Sequence, residues 1–199
     1  APLLPWLGAL SFSAGLGARG IYLANVLLSV GTVGLTYAAG ALLFGRAAGL
    51  ASAVLMAVSW ESLFFTQRVL TETPALFFWL LALVAWVLAV VRGRTAWLLL
   101  LGPAVALAFL SHFRAAAILL AFALHFAAAG KWGLLRRREV LASAALALLG
   151  FGAYAAFSAA RWGSPFGFLR SYQLARLRSL GPERLELRHH AAMDLVVRE

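Results

Sequence analysis

Six apolar runs, separated by short polar breaks, decide most of what this chain can fold into. They cover Ile21 to Phe44, Ala47 to Phe65, Thr73 to Val91, Ala96 to Leu110, Ala115 to Ala129 and Val140 to Ala160. The breaks include Gly45-Arg46, Arg92-Gly93-Arg94, His112-Phe113-Arg114 and the basic stretch Lys131 to Arg138. An α-helix rises about 1.5 Å per residue, so about 20 apolar residues cross a hydrocarbon layer about 30 Å thick. Inside that layer every backbone N–H and C=O must find a partner within the protein, and a helix provides one for each. The pattern predicts an all-α fold: a polytopic transmembrane helix bundle of about six spans with added interfacial helices. The fourth and fifth runs are short, which suits tilted or partly sheltered helices.

Composition closes the alternative. Of the 199 residues, 63% are hydrophobic and 12% charged, whereas soluble domains carry about 25% charge. A water-soluble core of this length could not hide so much apolar surface. The absence of cysteine removes disulfides, thiolate nucleophiles, cysteine zinc sites and iron–sulfur ligation. The net charge of +10 comes from one Lys and sixteen Arg against seven acids. The arginines lie between apolar runs and in the last forty residues, a pattern that suits lipid phosphates better than nucleic acid. Membrane lipid is therefore an expected partner, and nucleic acid is not.

The flanks read differently. Ala1 to Arg19 is apolar but broken by Pro2, Pro5, Gly15 and Gly17, which predicts an interfacial or re-entrant helix. A transmembrane domain is expected over residues 1–168 and a polar tail over 169–199. In the tail Leu174, Leu177 and Leu180 run beside Arg170, Arg176 and Arg178, which fits an interfacial helix ended by Gly181-Pro182. The chain starts with Ala1 and shows no signal peptide. The expectation is a fragment, with part of the chemistry lying before residue 1.

Arg46, Arg92, Arg94, Lys131, Arg136, Arg137 and Arg138 share one side in the alternating order, against Arg19, Arg68, Arg114 and arginines of the tail on the other. The counts are close. The dense short loop Lys131 to Arg138 places its side in the cytoplasm, with Arg68, Glu72 and Arg114 outside.

Ionisable groups at or in a membrane are expensive and each requires a reason. Glu61 and Glu72 are the only acids before Glu139. Glu61 and Arg68 would share a helical face if the helix continued, and Arg68 and Glu72 are four apart, within ion-pair reach on a helix. One reading is a polar mouth in which Arg68 holds a phosphate while an acid holds sugar hydroxyls or orients the arginine. The other is an interfacial ion pair with Thr71 or Thr73 capping the helix that starts at Pro74. His112 and Arg114 reach the same level; Arg114 suits a bidentate phosphate contact or simple snorkelling. Glu61, Arg68, Glu72, His112 and Arg114 are thus the candidate substrate-binding residues. His125, inside the fifth run, fits a hydrogen bond to a neighbouring helix better than a ligand role. His189-His190 lack metal-site spacing, so no metal ligands are assigned. No cofactor is identified, and room is left for a divalent metal. Gly45 and Gly49 have the small-residue spacing of close helix packing, and Gly102-Pro103 predicts a bend. The chain has no G-x-S-x-G, no P-loop and no H-E-x-x-H.

Several stretches, in this order, resemble one family. They are P-L-L-P-W-L-G-A-L at Pro2 to Leu10, L-F-G-R-A-A at Leu43 to Ala48 and Q-R-V-L-T-E-T-P-A-L-F-F at Gln67 to Phe78. G-P-A-V-A-L-A-F-L-S-H-F-R at Gly102 to Arg114 and R-W-G-S-P-F at Arg161 to Phe166 follow. Together they resemble the GT-C fold membrane glycosyltransferases, in the protein-mannosyltransferase and aminoarabinose-transferase-like branch. The resemblance implies transfer of a sugar from a polyprenyl-phosphate carrier to an acceptor at the outer face, with inversion. It also implies an acidic base in the first outer loop, which would precede residue 1, so no residue of this sequence is assigned as catalytic. The setting it suggests is the plasma membrane of a prokaryote. A transporter or lipid flippase, or a non-catalytic membrane subunit, are the competing classes. Transporters tend to show paired broken helices, and Gly102-Pro103 has no counterpart.

Overall fold

The computed structural model describes residues 3–112, 117–130 and 132–164, and every regular element among them is helical. The chain divides into two compact units, residues 1–150 and 151–199. The first unit contains α1 (Leu3–Ser13), α2 (Gly17–Phe44), α3 (Arg46–Val58), α4 (Trp60–Gln67), α5 (Glu72–Trp86), α6 (Leu98–Ser111) and α7 (Ala117–Ala129). It also holds the first half of α8 (Arg138–Trp162).

Helix α2 is the spine. Helices α1, α3 and α5 pack on it, and α6 packs on α5. The α2–α3 turn is Gly45, whose φ of 98° and ψ of 166° only glycine adopts readily. It lets the two helices fold back at very short range. A Cβ at Gly49 would stand 2.7 Å from both the Tyr37 carbonyl oxygen and the Ala41 nitrogen. The expected close packing through Gly49 is present, but Gly40 on α2 is what faces it, while Gly45 makes the turn.

The second apolar run does not form one straight helix. It breaks at Ser59, and α3 and α4 meet at 53°. Ser59 has extended dihedrals and its hydroxyl oxygen accepts the Ser62 N–H at 3.2 Å, so it starts a new helix. Helix α5 ends in a π-turn over Val87–Val91, with the Arg92 N–H bonded to the Val87 carbonyl. The short Arg92–Trp97 link then makes α5 and α6 an antiparallel pair. At the far end of α2, the Arg92 guanidinium donates to the Leu42 carbonyl at 2.8 Å, satisfying a terminal acceptor of that helix.

The core lies between α5, α6 and α7. Ala82, Trp86, Ala89 and Val90 meet Leu98, Ala104 and Val105, and α7 adds Ile118 and Phe122. Trp86 stacks on Phe122 with centroids 4.7 Å apart and donates its indole N–H to His125 Nδ1 at 3.0 Å. His125 therefore makes the inter-helix hydrogen bond read from the sequence. Pro103 leaves α6 continuous. The consequence of Gly102 is contact: its N–H donates to Ser143 Oγ of α8 at 2.6 Å, and a Cβ there would overlap the Ser143 backbone.

Among the described residues, three helices are long and apolar enough to cross a membrane: Gly17–Phe44, Glu72–Val91 and Arg138–Arg161. The bent α3–α4 pair raises the number to four. The expectation of about six spans meets its limit at α6 and α7, whose 14 and 13 residues rise only about 20 Å. The chain is an integral membrane protein all the same, built as an all-α bundle. The segment Gly15 to Gly20 spells G-x-G-x-x-G, but it joins two helices rather than a strand and a helix, so it is no dinucleotide fingerprint.

In the second unit the end of α8 is closed by the Ser158 hydroxyl, which donates to the Ser164 carbonyl at 2.9 Å, and by Gly163 at φ 71°. Pro165, Phe166 and the tail helix expected around Leu174 to Leu180, with His189-His190, lie outside the described residues.

Candidate functional site

A cavity of about 260 Å³ opens where the first half of α2 meets α3, α4 and the start of α5. Ser29 and Thr32 line it from α2, Met56 and Ser59 from the α3–α4 bend, and Glu61, Ser62 and Phe65 from α4. Glu72, Thr73 and Leu76 complete it from α5. Glu61, Glu72 and five Ser or Thr residues thus line one space whose wall is mostly apolar, and Thr32, Ser59 and Thr73 donate to the Leu28, Met56 and Phe65 carbonyls.

Local sequence puts the carboxylates there. The Ser59 break starts α4, and Glu61 falls in its first turn. Pro74 fits the first turn of α5, and Glu72 falls at its start. Helix N-termini favour negative charge, so each carboxylate can stand in place without a cation beside it. Both are exposed.

The expected helix from Glu61 through Arg68 to Glu72 does not form. Helix α4 stops at Gln67, and Arg68 is extended at φ −109° and ψ 130°. The reason lies forty residues earlier. The Asn25 carboxamide of α2 donates to the carbonyls of Phe65, Thr66 and Arg68 at 3.1, 2.9 and 3.3 Å. The Thr73 hydroxyl adds a bond to the Phe65 carbonyl at 3.1 Å. These side chains take acceptors that the end of a helix leaves open. Arg68 consequently forms no ion pair with Glu72 among the described residues; its guanidinium lies over the Phe64 ring, 4.4 Å from the centroid. It sits on the link between two segments that line the cavity.

The capping expectation also changes. Thr71 precedes α5 but makes no cap bond and instead lies 3.3 Å from the Glu72 carboxylate. Thr73 serves the end of α4. His112 ends α6 with its N–H on the Ala108 carbonyl, and the α5–α6 pairing returns it to the Glu72 end of the bundle. Arg114 lies outside the described residues. Arg46, Arg92 and Arg94 stand at the opposite end of α2 and α5. Of the five candidates, Glu61 and Glu72 line the cavity, and Arg68 lies on the α4–α5 link with its guanidinium over Phe64.

Sequence reasoning missed Asn25, Ser29 and Thr32. Their signal was available: Asn25, Ser29, Thr32 and Thr36 recur at helical spacing on one stripe of an otherwise apolar span. Thr66 Oγ1 lies 2.8 Å from Ser29 Oγ and 2.7 Å from the Ser62 carbonyl, which ties that stripe to α4. Among the described residues no three His, Asp or Glu side chains gather as a metal site.

Comparison with known proteins supplies the remaining constraint. No curated protein and no solved structure matches this chain. The sequence model of one family, dolichyl-phosphate-mannose-protein mannosyltransferase, matches residues 1–156. That stretch includes every residue of the cavity, and it agrees with an all-α membrane bundle of GT-C type. The chain belongs to the dolichyl-phosphate-mannose-protein mannosyltransferase family of membrane glycosyltransferases.

Proposed function

We propose that the chain takes part in transferring a sugar from a polyprenyl-phosphate carrier to an acceptor at the outer membrane face, with inversion, in the plasma membrane of a prokaryote. The cavity around Glu61 and Glu72 receives the sugar. One observation carries this reading: among the described residues, Glu61 and Glu72 line the same space of about 260 Å³, and no Lys, Arg or His lines it. Carboxylates accept strongly from sugar hydroxyls, and Thr32, Ser59 and Thr73, whose O–H groups donate to backbone carbonyls, can only accept. A phosphate would be repelled by those acids, so it belongs beside Arg68, and beside Arg114 and His112 as read from the sequence. The prenyl chain is apolar and stays in lipid. Charge builds on the departing phosphate as the sugar leaves, which is where a held arginine helps most. No residue of this chain is assigned as the base.

The test separates sugar from phosphate. In the intact protein in nanodiscs, binding of a mannosyl polyprenyl phosphate and of the bare polyprenyl phosphate is measured side by side. Glu61→Ala with Glu72→Ala weakens the sugar-bearing lipid about 100-fold, as expected for two charged hydrogen-bond acceptors, and does not weaken the bare lipid. Arg68→Ala weakens both about tenfold. Equal binding of the sugar-bearing lipid by wild type and the double variant would reject the reading.

A further inference from the structure

Asn25 is 3% exposed in the middle of an apolar helix, and its side chain makes three contacts with a segment forty residues away. All three partners are carbonyls, which can only accept, so the atom facing them is the amide nitrogen. Its own Oδ1 is buried and has no hydrogen-bond partner among the described residues. Folding alone does not favour a side chain that leaves its oxygen unpaired in a bundle. The benefit must come from what the nitrogen holds.

It holds Arg68. The Arg68 N–H is bonded to the Phe64 carbonyl, and the Arg68 carbonyl receives the Leu70 N–H at 2.9 Å as well as Asn25. The peptides on both sides of the residue are therefore fixed, in the extended conformation that ends α4. The guanidinium is steadied by the Phe64 ring. Removing the Asn25 donor takes one bond from each of the Phe65, Thr66 and Arg68 carbonyls, leaving Thr73 on Phe65 and the Leu70 N–H on Arg68, and so loosens the end of α4. That would move Arg68 from its present place over Phe64.

We propose that Asn25 is a positioning residue: without touching the ligand, it fixes Arg68 where α4 ends by clamping the α4–α5 link. The proposal rests on the reading of Arg68 as the phosphate contact, and its test keeps the two apart. In the intact protein in nanodiscs, hydrogen exchange of the segment 65–71 reports the clamp with no ligand present. Asn25→Ala speeds that exchange about tenfold, the scale of one lost hydrogen bond, while exchange in α6 is unchanged. Binding of bare polyprenyl phosphate then reports the consequence. Asn25→Ala weakens it about tenfold, and adding Asn25→Ala to Arg68→Ala weakens it no further, the signature of two residues acting through one contact.

Unchanged exchange at 65–71, or a full Asn25→Ala loss persisting in the Arg68→Ala background, overturns the proposal. Faster exchange with an Arg68→Ala variant that binds normally keeps the clamp and rejects the phosphate reading. Should Asn25→Ala not fold, Asn25→Ser retains one donor and is expected to change both measurements about threefold. Wild-type exchange at 65–71 in that variant overturns the proposal equally.

Discussion

Helix α2 meets its neighbours in two ways along its length. Toward its end, Gly40 and Gly49 bring the α2 and α3 backbones into contact, and Arg92 closes the helix with a bond to Leu42. Toward its start, Asn25 and Ser29 hold α4 through hydrogen bonds, Thr73 of α5 bonds the end of α4, and a cavity lies between the three helices. One half is joined by packing without space, the other by polar groups around a space. Packing fixes the distance between helices but offers nothing for a ligand to bind. Polar groups in a membrane protein cost free energy unless paired, which is why we propose function for the half that collects them.

That contrast can be broken from the packed side first. Gly49→Leu forces a side chain into the α2 backbone and should lower stability by about 3 kcal/mol, seen as a fall in thermal midpoint in detergent. Donor binding should fall only in proportion to the folded fraction. A variant that folds normally but loses donor binding would erase the distinction between the two halves.

The α5–α7 core gives a smaller effect. Trp86→Phe keeps the stack on Phe122 but removes the hydrogen bond to His125. Inter-helix hydrogen bonds in membranes average about 0.6 kcal/mol. A loss of about 1 kcal/mol or less, with donor binding intact, is the expected result. The smallest effect is at Thr71. Because its side chain caps nothing, Thr71→Ala should change stability by less than about 0.5 kcal/mol. A cap would cost about 1 kcal/mol, so a loss of that size would contradict the observed start of α5.

The course of the helices was legible in the sequence because hydropathy and turn chemistry are local. Gly45-Arg46 and Arg92-Gly93-Arg94 end helices as expected, and the third run ends at Val91. What failed depended on distant partners. The Arg68–Glu72 ion pair assumed a helix through Gln67, and nothing near Arg68 in sequence says that Asn25 will take its carbonyl. The break at Ser59 was visible only as one serine in an apolar run, a residue that can equally sit inside a helix. Glu61 and Glu72 were legible as candidates because acids are rare in this chain. Their meeting at one cavity required the 53° bend, which no local pattern predicted.

We propose that the Glu61–Glu72 cavity receives the sugar of a lipid-linked donor. A mannosyl polyprenyl phosphate carrying a photoreactive diazirine on the sugar, activated in the intact membrane-embedded protein, tests it most directly. Labelled peptides covering residues 56–76, with Ser29 and Thr32 of α2 as the second site, and competition by unmodified donor are expected. Labelling confined to the α5–α7 core or to the Arg46 and Arg92 end of the bundle would contradict it.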